Sequence, residues 1–323
     1  MENYMTLHKD KNLFSDVIEA TAEAMKIPEV YVEKDYWLCY LLKNLSLSPY
    51  KTQVVFKGGT SLSKIYQMIE RFSEDIDLGL LCDEISASQV KPLIKKIEAT
   101  MLDQNFKEVK DHSLVSKGSK FRKTVFEYPR ITSGNFGHAS HLMVLEINSF
   151  TTPSPYAMHS MASFITHFLQ TSPQKELITQ HALEPFEVQV LDIRRTFCEK
   201  VSAIAKASYL GQRELENKVR HFYDLYFLMK EPSIVEFLET DEFISFFKRV
   251  REDDRKNENE HSSWANDPLY QAPIYQNTAK LLTNLEEYYQ KEFASLVHGK
   301  LPEFVLILEK IEFIAKKLND EAL

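Results

Sequence analysis

The residues able to do chemistry in this 323-residue chain are concentrated between Lys57 and Leu81. Gly58-Gly59 follow the apolar run Val54-Val55-Phe56. Two residues without Cβ atoms let the backbone come close to a bulky anion. The helix expected next would offer free amides, from Thr60 to Ser63, to phosphate oxygens. Thr60 or Ser61 would add a hydroxyl. Farther on, Asp75 and Asp77 alternate with Ile76, Leu78 and Leu80. That alternation predicts a half-buried strand with both acids on one face, their Cα atoms roughly 6–7 Å apart. Two carboxylates at that spacing can share magnesium ions, which bridge phosphate oxygens and steady attacking and leaving oxygens. A lone Asp-x-Asp is usually a solvated strand edge, and a lone Gly-Gly-Thr a turn and cap. Both together, in register across one helix, are a stronger signal. Lys57, Arg71 and Ser73 flank the two features and could reach phosphate. Otherwise Lys57 flanks the turn and Arg71 is an exposed charge.

Other residues stand out by their surroundings. Glu146 interrupts the apolar run Leu142–Ile147, where a buried carboxylate is costly unless paired or metal-bound. It is a candidate third metal ligand or base, or a strand-end acid in a salt bridge. Lys200 lies beside an apolar helical stripe. Asp224 sits among Phe222, Tyr223, Tyr226 and Phe227, which calls for a cationic partner such as Arg220, Lys200 or Lys218. Glu33-Lys34-Asp35 are three charges beside aromatic residues. A salt-bridged helix packed over the active-site strand is favoured over direct catalysis there.

Elements must position these groups. Residues 12–47 read as helices broken near Pro28, and Gln53–Phe56 as a strand. The helix after the glycines, capped by Thr60 or Ser61, should carry Leu62, Ile65, Tyr66 and Ile69 on its apolar face. Residues 89–104 return to helix. Strands follow at Phe121–Tyr128, His141–Asn148 and Phe186–Ile193, with a polar loop around Gly134-Asn135. Beyond Thr196 helical stripes dominate: Phe197, Val201, Ile204 and Ala205, then Leu215, Val219, Phe222 and Tyr226. The polar stretch Glu252–Pro273 reads as a long loop. Eight glycines and twelve prolines favour helices over tight β-turns. The expected organisation is α+β, with a domain at 1–195 that includes the N-terminal helices and a helical C-terminal domain at 196–323.

Composition excludes several classes. Cys39, Cys82 and Cys198 are dispersed, which argues against a zinc site or disulfide framework and fits a cytoplasmic setting. No apolar run approaches the roughly 20 residues of a membrane span. A net charge of −8 disfavours a passive nucleic-acid binder. Basic residues still cluster at Lys107–Arg130 and Arg194–Arg220, where a local cradle could form. No His-x-x-x-His pattern and no Gly-x4-Gly-Lys-Ser/Thr loop is present.

The chain resembles the AbiEii toxin family, nucleotidyltransferase-like proteins of type IV toxin–antitoxin and phage-abortive systems. The blocks that carry the resemblance are Val32-Glu33-Lys34-Asp35-Tyr36-Trp37, Phe56-Lys57-Gly58-Gly59-Thr60-Ser61-Leu62-Ser63-Lys64 and Arg71-Phe72-Ser73-Glu74-Asp75-Ile76-Asp77-Leu78. Glu199-Lys200-Val201-Ser202-Ala203 and Arg220-His221-Phe222-Tyr223-Asp224-Leu225 match as well. The resemblance implies a DNA-polymerase-β-like core with a helical C-terminal half. It implies that Gly59-Thr60 replace a glycine–serine pair and that Asp75 and Asp77 bind metal. It also implies that Lys200 contacts triphosphate and that activity needs Asp224. The reaction expected is magnesium-dependent transfer of NMP from an NTP to an RNA, the 3′ end of tRNA, by the toxin of a toxin–antitoxin system; the sequence is silent on whether a cognate antitoxin exists. Two rivals are a phosphotransferase acting on a protein partner and a non-catalytic NTP-binding module.

Overall fold

The computed structural model describes all residues except 1–3, 74, 83–84, 112–113, 135–140 and 258–262. Asn135 of the expected polar loop, Glu74 and part of the 252–273 stretch therefore lie outside the described residues. The chain divides into two compact units: Met1–Tyr66 with Phe72–Val190, and Gln67–Arg71 with Leu191–Leu323.

The first unit is a mixed sheet with helices. Helices α1 (Lys11–Met25) and α2 (Glu29–Leu47) lead into strand β1 (Val54–Lys57), the short helix α3 (Gly58–Lys64) and strand β2 (Asp75–Leu80). Helix α4 (Ala87–Met101) precedes β3 (Lys107–Glu108), β4 (Ser116–Lys117), β5 (Phe121–Glu127), β6 (Met143–Asn148) and β7 (Tyr156–Met161). Helices α5 (Phe164–Thr171) and α6 (Glu176–Gln180) then lead to β8 (Phe186–Leu191). The strand order is β3-β5-β6-β2-β1-β8-β7, with β4 paired to β5. β1 and β2 run antiparallel, β2 and β6 parallel, and β6 and β5 antiparallel.

Three local expectations need correction. The helix after the glycines starts at Gly58 rather than at Thr60 and ends at Lys64, so Ile69 is not part of it. The chain turns into it through Gly58, whose φ of +82 is a value L side chains rarely adopt. Glu146 faces the half-exposed side of β6. Met143, Leu145 and Ile147 are its buried residues, because the strand's alternation sets Glu146 opposite to them. β7 and α5 have no counterpart in the expected elements, since the first is mostly exposed and the second is short.

The second unit is helical: α7 (Ile193–Leu210), α8 (Gln212–Asn217), α9 (Val219–Leu228), α10 (Pro232–Phe237) and α11 (Asp241–Asn257), then α12 (Ser263–Asn266), α13 (Pro273–Gln276), α14 (Thr278–Lys291) and α15 (Phe304–Asp320). The stripe from Leu215 to Tyr226 is split between α8 and α9 at Lys218. The supposed loop from Glu252 is helical to Asn257. Two of its acids are tied inward: Asp253 accepts from buried Arg195 at 2.6 Å, and Asp254 from Ser202 at 2.6 Å.

At the heart of this unit Asp224 is fully buried. Arg71 binds it in a two-pronged grip, Nε to Oδ1 at 2.7 Å and Nη2 to Oδ2 at 2.8 Å. Lys200 Nζ lies 2.7 Å from the same Oδ2. Burial opposes ionisation of this carboxyl, but Arg71 and then Lys200 outweigh it and hold the pKa down to about 2. Nearby His221 is pushed well below its ordinary range, first by burial and then by Lys200, Lys218, Arg220 and Arg71, so it stays neutral. Arg71 is thus 2% exposed rather than a surface charge.

A carboxylate with a depressed folded pKa stabilises the fold above its unfolded value and loses that contribution as pH falls through its folded value. The depression at Asp224 corresponds to about 2 kcal/mol. Urea unfolding should therefore weaken by that order between about pH 4 and pH 2. Asp224→Asn should lack this acid dependence and be less stable at neutral pH by about 3–5 kcal/mol, because two cations stay buried without a counter-charge.

Candidate active site

β1 ends at Lys57 and the chain turns through Gly58 into α3. Antiparallel pairing sets Lys57 opposite Asp77 on β2. Asp77 lies beside Glu146 on β6, and Glu146 beside Lys123 on β5. Directly paired residues share a sheet face. Four neighbouring strands therefore carry a row of charges, plus, minus, minus, plus: Lys57, Asp77, Glu146, Lys123. Adjacent Cα atoms in such a row are about 5 Å apart. Asp75 adds a third acid to the same face, two residues along β2.

The bend and the acids meet. A Cβ placed on Gly58 would fall 2.2 Å from Asp77 Oδ2 and 3.1 Å from its Cγ. The Asp77 carboxylate therefore occupies the space that any other residue at 58 would fill. The contact is fixed from behind. Thr60 Oγ1 donates to the Asp75 carbonyl at 2.6 Å and lies 2.9 Å from Ser73 Oγ, joining α3 to the entry of β2. Ser61 Oγ donates to the Gly58 carbonyl at 2.8 Å and closes the turn on itself. Both hydroxyls are buried and serve the bend's architecture. Gly59 and Ser73 are half-buried at the turn. Lys57 Nζ reaches Thr151 Oγ1 at 3.5 Å.

Glu146 is 28% exposed at its side chain, with Oε1 3.1 Å from Lys123 Nζ. It is thus both in line with Asp77 and neutralised by a neighbour. No group of three or more His, Cys, Asp or Glu side chains is gathered around a common ion position among the described residues. That donor set still fits magnesium. This ion dehydrates reluctantly and is held by one or two carboxylates plus substrate phosphates rather than by a complete protein cage. Asp75 and Asp77 supply hard oxygens of that kind.

Lys200 and Asp224 belong to the second unit and form the buried ion pair described above, Arg71 completing it. Of the three cations expected for Asp224, Lys200 is the one that pairs with it, and Arg71, which local sequence does not point to, is the two-pronged partner. Nor does local sequence point to Lys123, whose position opposite Glu146 depends on a non-local strand register. The basic stretches are less available than their count suggests. Lys107 pairs with Glu127, Lys117 with Glu108 and Arg122 with Glu98. Arg194 pairs with Asp192 and Glu242, and Arg195 with Glu199 and Asp253. An RNA backbone on these residues would compete with internal acids.

No described helix is long and apolar enough to cross a membrane. No curated protein sequence matches the chain. Among solved structures, the crystal structure of JHP933 from Helicobacter pylori aligns at 14% identity with a TM-score of 0.42, over 91% of this chain and 94% of that one. A likeness that loose carries no functional weight. The family model of the nucleotidyl transferase AbiEii toxin, type IV toxin–antitoxin system, matches residues 40–314. The match takes in the glycine bend, Asp75, Asp77, Glu146, Lys200 and Asp224, while Val32–Trp37 precede it. The chain belongs to the AbiEii family of nucleotidyl transferase toxins of type IV toxin–antitoxin systems.

Proposed function

We propose that this nucleotidyltransferase moves NMP from an NTP to the 3′-terminal hydroxyl of an RNA, tRNA in the first instance, in the cytoplasm. The observation that carries the reading is the packing of Asp77 against Gly58. One residue without a Cβ sets a carboxylate directly beside a phosphate-accepting bend. The fold reading that accompanies it is a DNA-polymerase-β-like core. It is supported by the antiparallel β1–β2 pair beside parallel β6, with the acids on β2 and β6.

In this reading Asp75 and Asp77 hold magnesium, which would neutralise the triphosphate and lower the pKa of the acceptor hydroxyl. Gly58 and Gly59 let the triphosphate approach the backbone, and Lys57 adds positive charge at the same edge. Glu146, in line with Asp77, joins the ligand set or accepts the acceptor's proton, with Lys123 paired to it. Asp224 orients Lys200 within the second unit. The bond formed joins the acceptor oxygen to the α-phosphorus; the bond broken releases pyrophosphate. An antitoxin partner follows from the type of system the family serves.

Incubation with α-labelled NTP, magnesium and total cellular RNA should leave label on RNA. With γ-labelled NTP no label should remain on RNA or protein. Label from the γ-phosphate on a protein would instead establish a phosphotransferase. Asp77→Asn should abolish transfer while circular dichroism and the unfolding midpoint stay near wild type.

Gly58→Ala tests the geometry. The new Cβ and the positive φ should cost about 1–3 kcal/mol of stability. The larger effect is chemical, because the Asp77 carboxylate must rotate away. A displacement near 1 Å lowers turnover by about a hundredfold. Steady-state kinetics with a urea melt on the same preparation check both figures.

A further inference from the structure

Helix α3, which begins at the glycine bend, should not hold its place unaided. It has seven residues, begins with two glycines and has no side-chain N-cap at Lys57. Helices this short are marginal in isolation, and glycine makes them worse. Its front end is tied to β2 through Thr60. The rear end is held by a different device. Lys64, the last residue of the helix, extends Nζ to 2.5 Å from Asp35 Oδ1 on α2. The same ammonium lies 3.9 Å from the centre of the Phe164 ring. The other Asp35 oxygen, Oδ2, accepts the Phe164 backbone amide at 2.7 Å, at the start of α5. Asp35 and Lys64 side chains are only 4% and 6% exposed. One carboxylate therefore fastens the rear of α3 to α2 and α5 at once.

Its neighbours on α2 are spoken for elsewhere. Glu33 accepts from the backbone amides of Ile131 and Thr132 at 2.7 and 2.9 Å. Lys34 donates to the Leu142 carbonyl at 2.6 Å, just before β6. Asp35 is the one that pairs with Lys64 at the rear of α3. Lys64 lies about 9 Å along the helix from Gly58, too far for either member of the pair to touch a phosphate there.

We infer that the buried Asp35–Lys64 pair is a positioning device for the nucleotidyl-transfer site, setting where α3 and hence Gly58 stand against Asp77. The inference rests on the reading of Gly58 and Asp77 as the nucleotide pocket. A merely stabilising pair would be replaceable: apolar residues of similar volume often substitute for a buried ion pair without loss of stability. A positioning pair is not replaceable in that way, because Leu and Met would keep the volume and lose the directed hold on Phe164 and α3.

The test uses the full chain as Asp35→Asn and as the double variant Asp35→Leu/Lys64→Met. It measures kcat and KM with α-labelled NTP, the urea midpoint, and amide exchange across residues 58–66. The double variant should keep a near-wild-type midpoint. Its kcat should fall about ten- to a hundredfold, with a smaller change in KM. Exchange across 58–66 should quicken about tenfold in both variants, while α7 is unchanged. Wild-type kcat in the double variant, or unchanged exchange at 58–66, would overturn the inference. Failure of both variants to fold would assign the pair a purely structural role. Absence of transfer in the wild type would refute the reading of the site instead, and exchange would still decide the clamp.

Discussion

The arrangement depends on one close approach, that of a carboxylate to a backbone with no side chain. Asp77 can stand at the mouth of the bend only because residue 58 has no Cβ and sits at φ +82. Everything adjacent serves that contact. β1 and β2 pair antiparallel so that the residue before the bend lies opposite Asp77. β6 joins on the other side and brings a second acid into line. Thr60 ties the helix to the strand, and Ser61 ties the turn to itself. The acids stand in one row with basic neighbours, Lys57 opposite Asp77 and Lys123 paired with Glu146. A site of this kind is suited to magnesium and a polyphosphate arriving together.

Charge is handled differently in the second unit. There one buried carboxylate, Asp224, serves two cations, and its ionisation is secured by them rather than by water. Such a cluster is a poor source of net stability and a strong source of uniqueness, since any other packing would strand a charge. A second buried ion pair, Arg195 with Asp253, lies in the same unit. It explains why a stretch that looks like a solvated loop is a helix with buried acids.

The sequence made the β1–bend–β2 segment legible, because alternation in Asp75–Leu80 and the glycine pair are local signals. The N-terminal helices were legible for the same reason. The row Lys57, Asp77, Glu146, Lys123 was not. It depends on registers between strands far apart in the chain, so alternation sets Glu146 on the face of Val144 but not opposite Asp77 and Lys123. The glycine helix was misjudged by two residues, since local propensity argues against starting a helix at glycine and only tertiary ties override it. Glu33-Lys34-Asp35 looked like a structural set, and they are buried ties, but nothing local disclosed that Asp35 reaches Lys64 or that Glu33 reaches Thr132.

The most direct measurement of the central contact is a titration of the isotopically labelled protein with manganese, a paramagnetic substitute for magnesium, in the presence of a non-hydrolysable NTP analogue. Amide resonances of Gly58, Gly59, Asp75 and Asp77 should broaden first and together, and the effect should vanish in Asp77→Asn. Broadening centred elsewhere, or broadening at the bend that persists without the Asp77 carboxylate, would contradict the account.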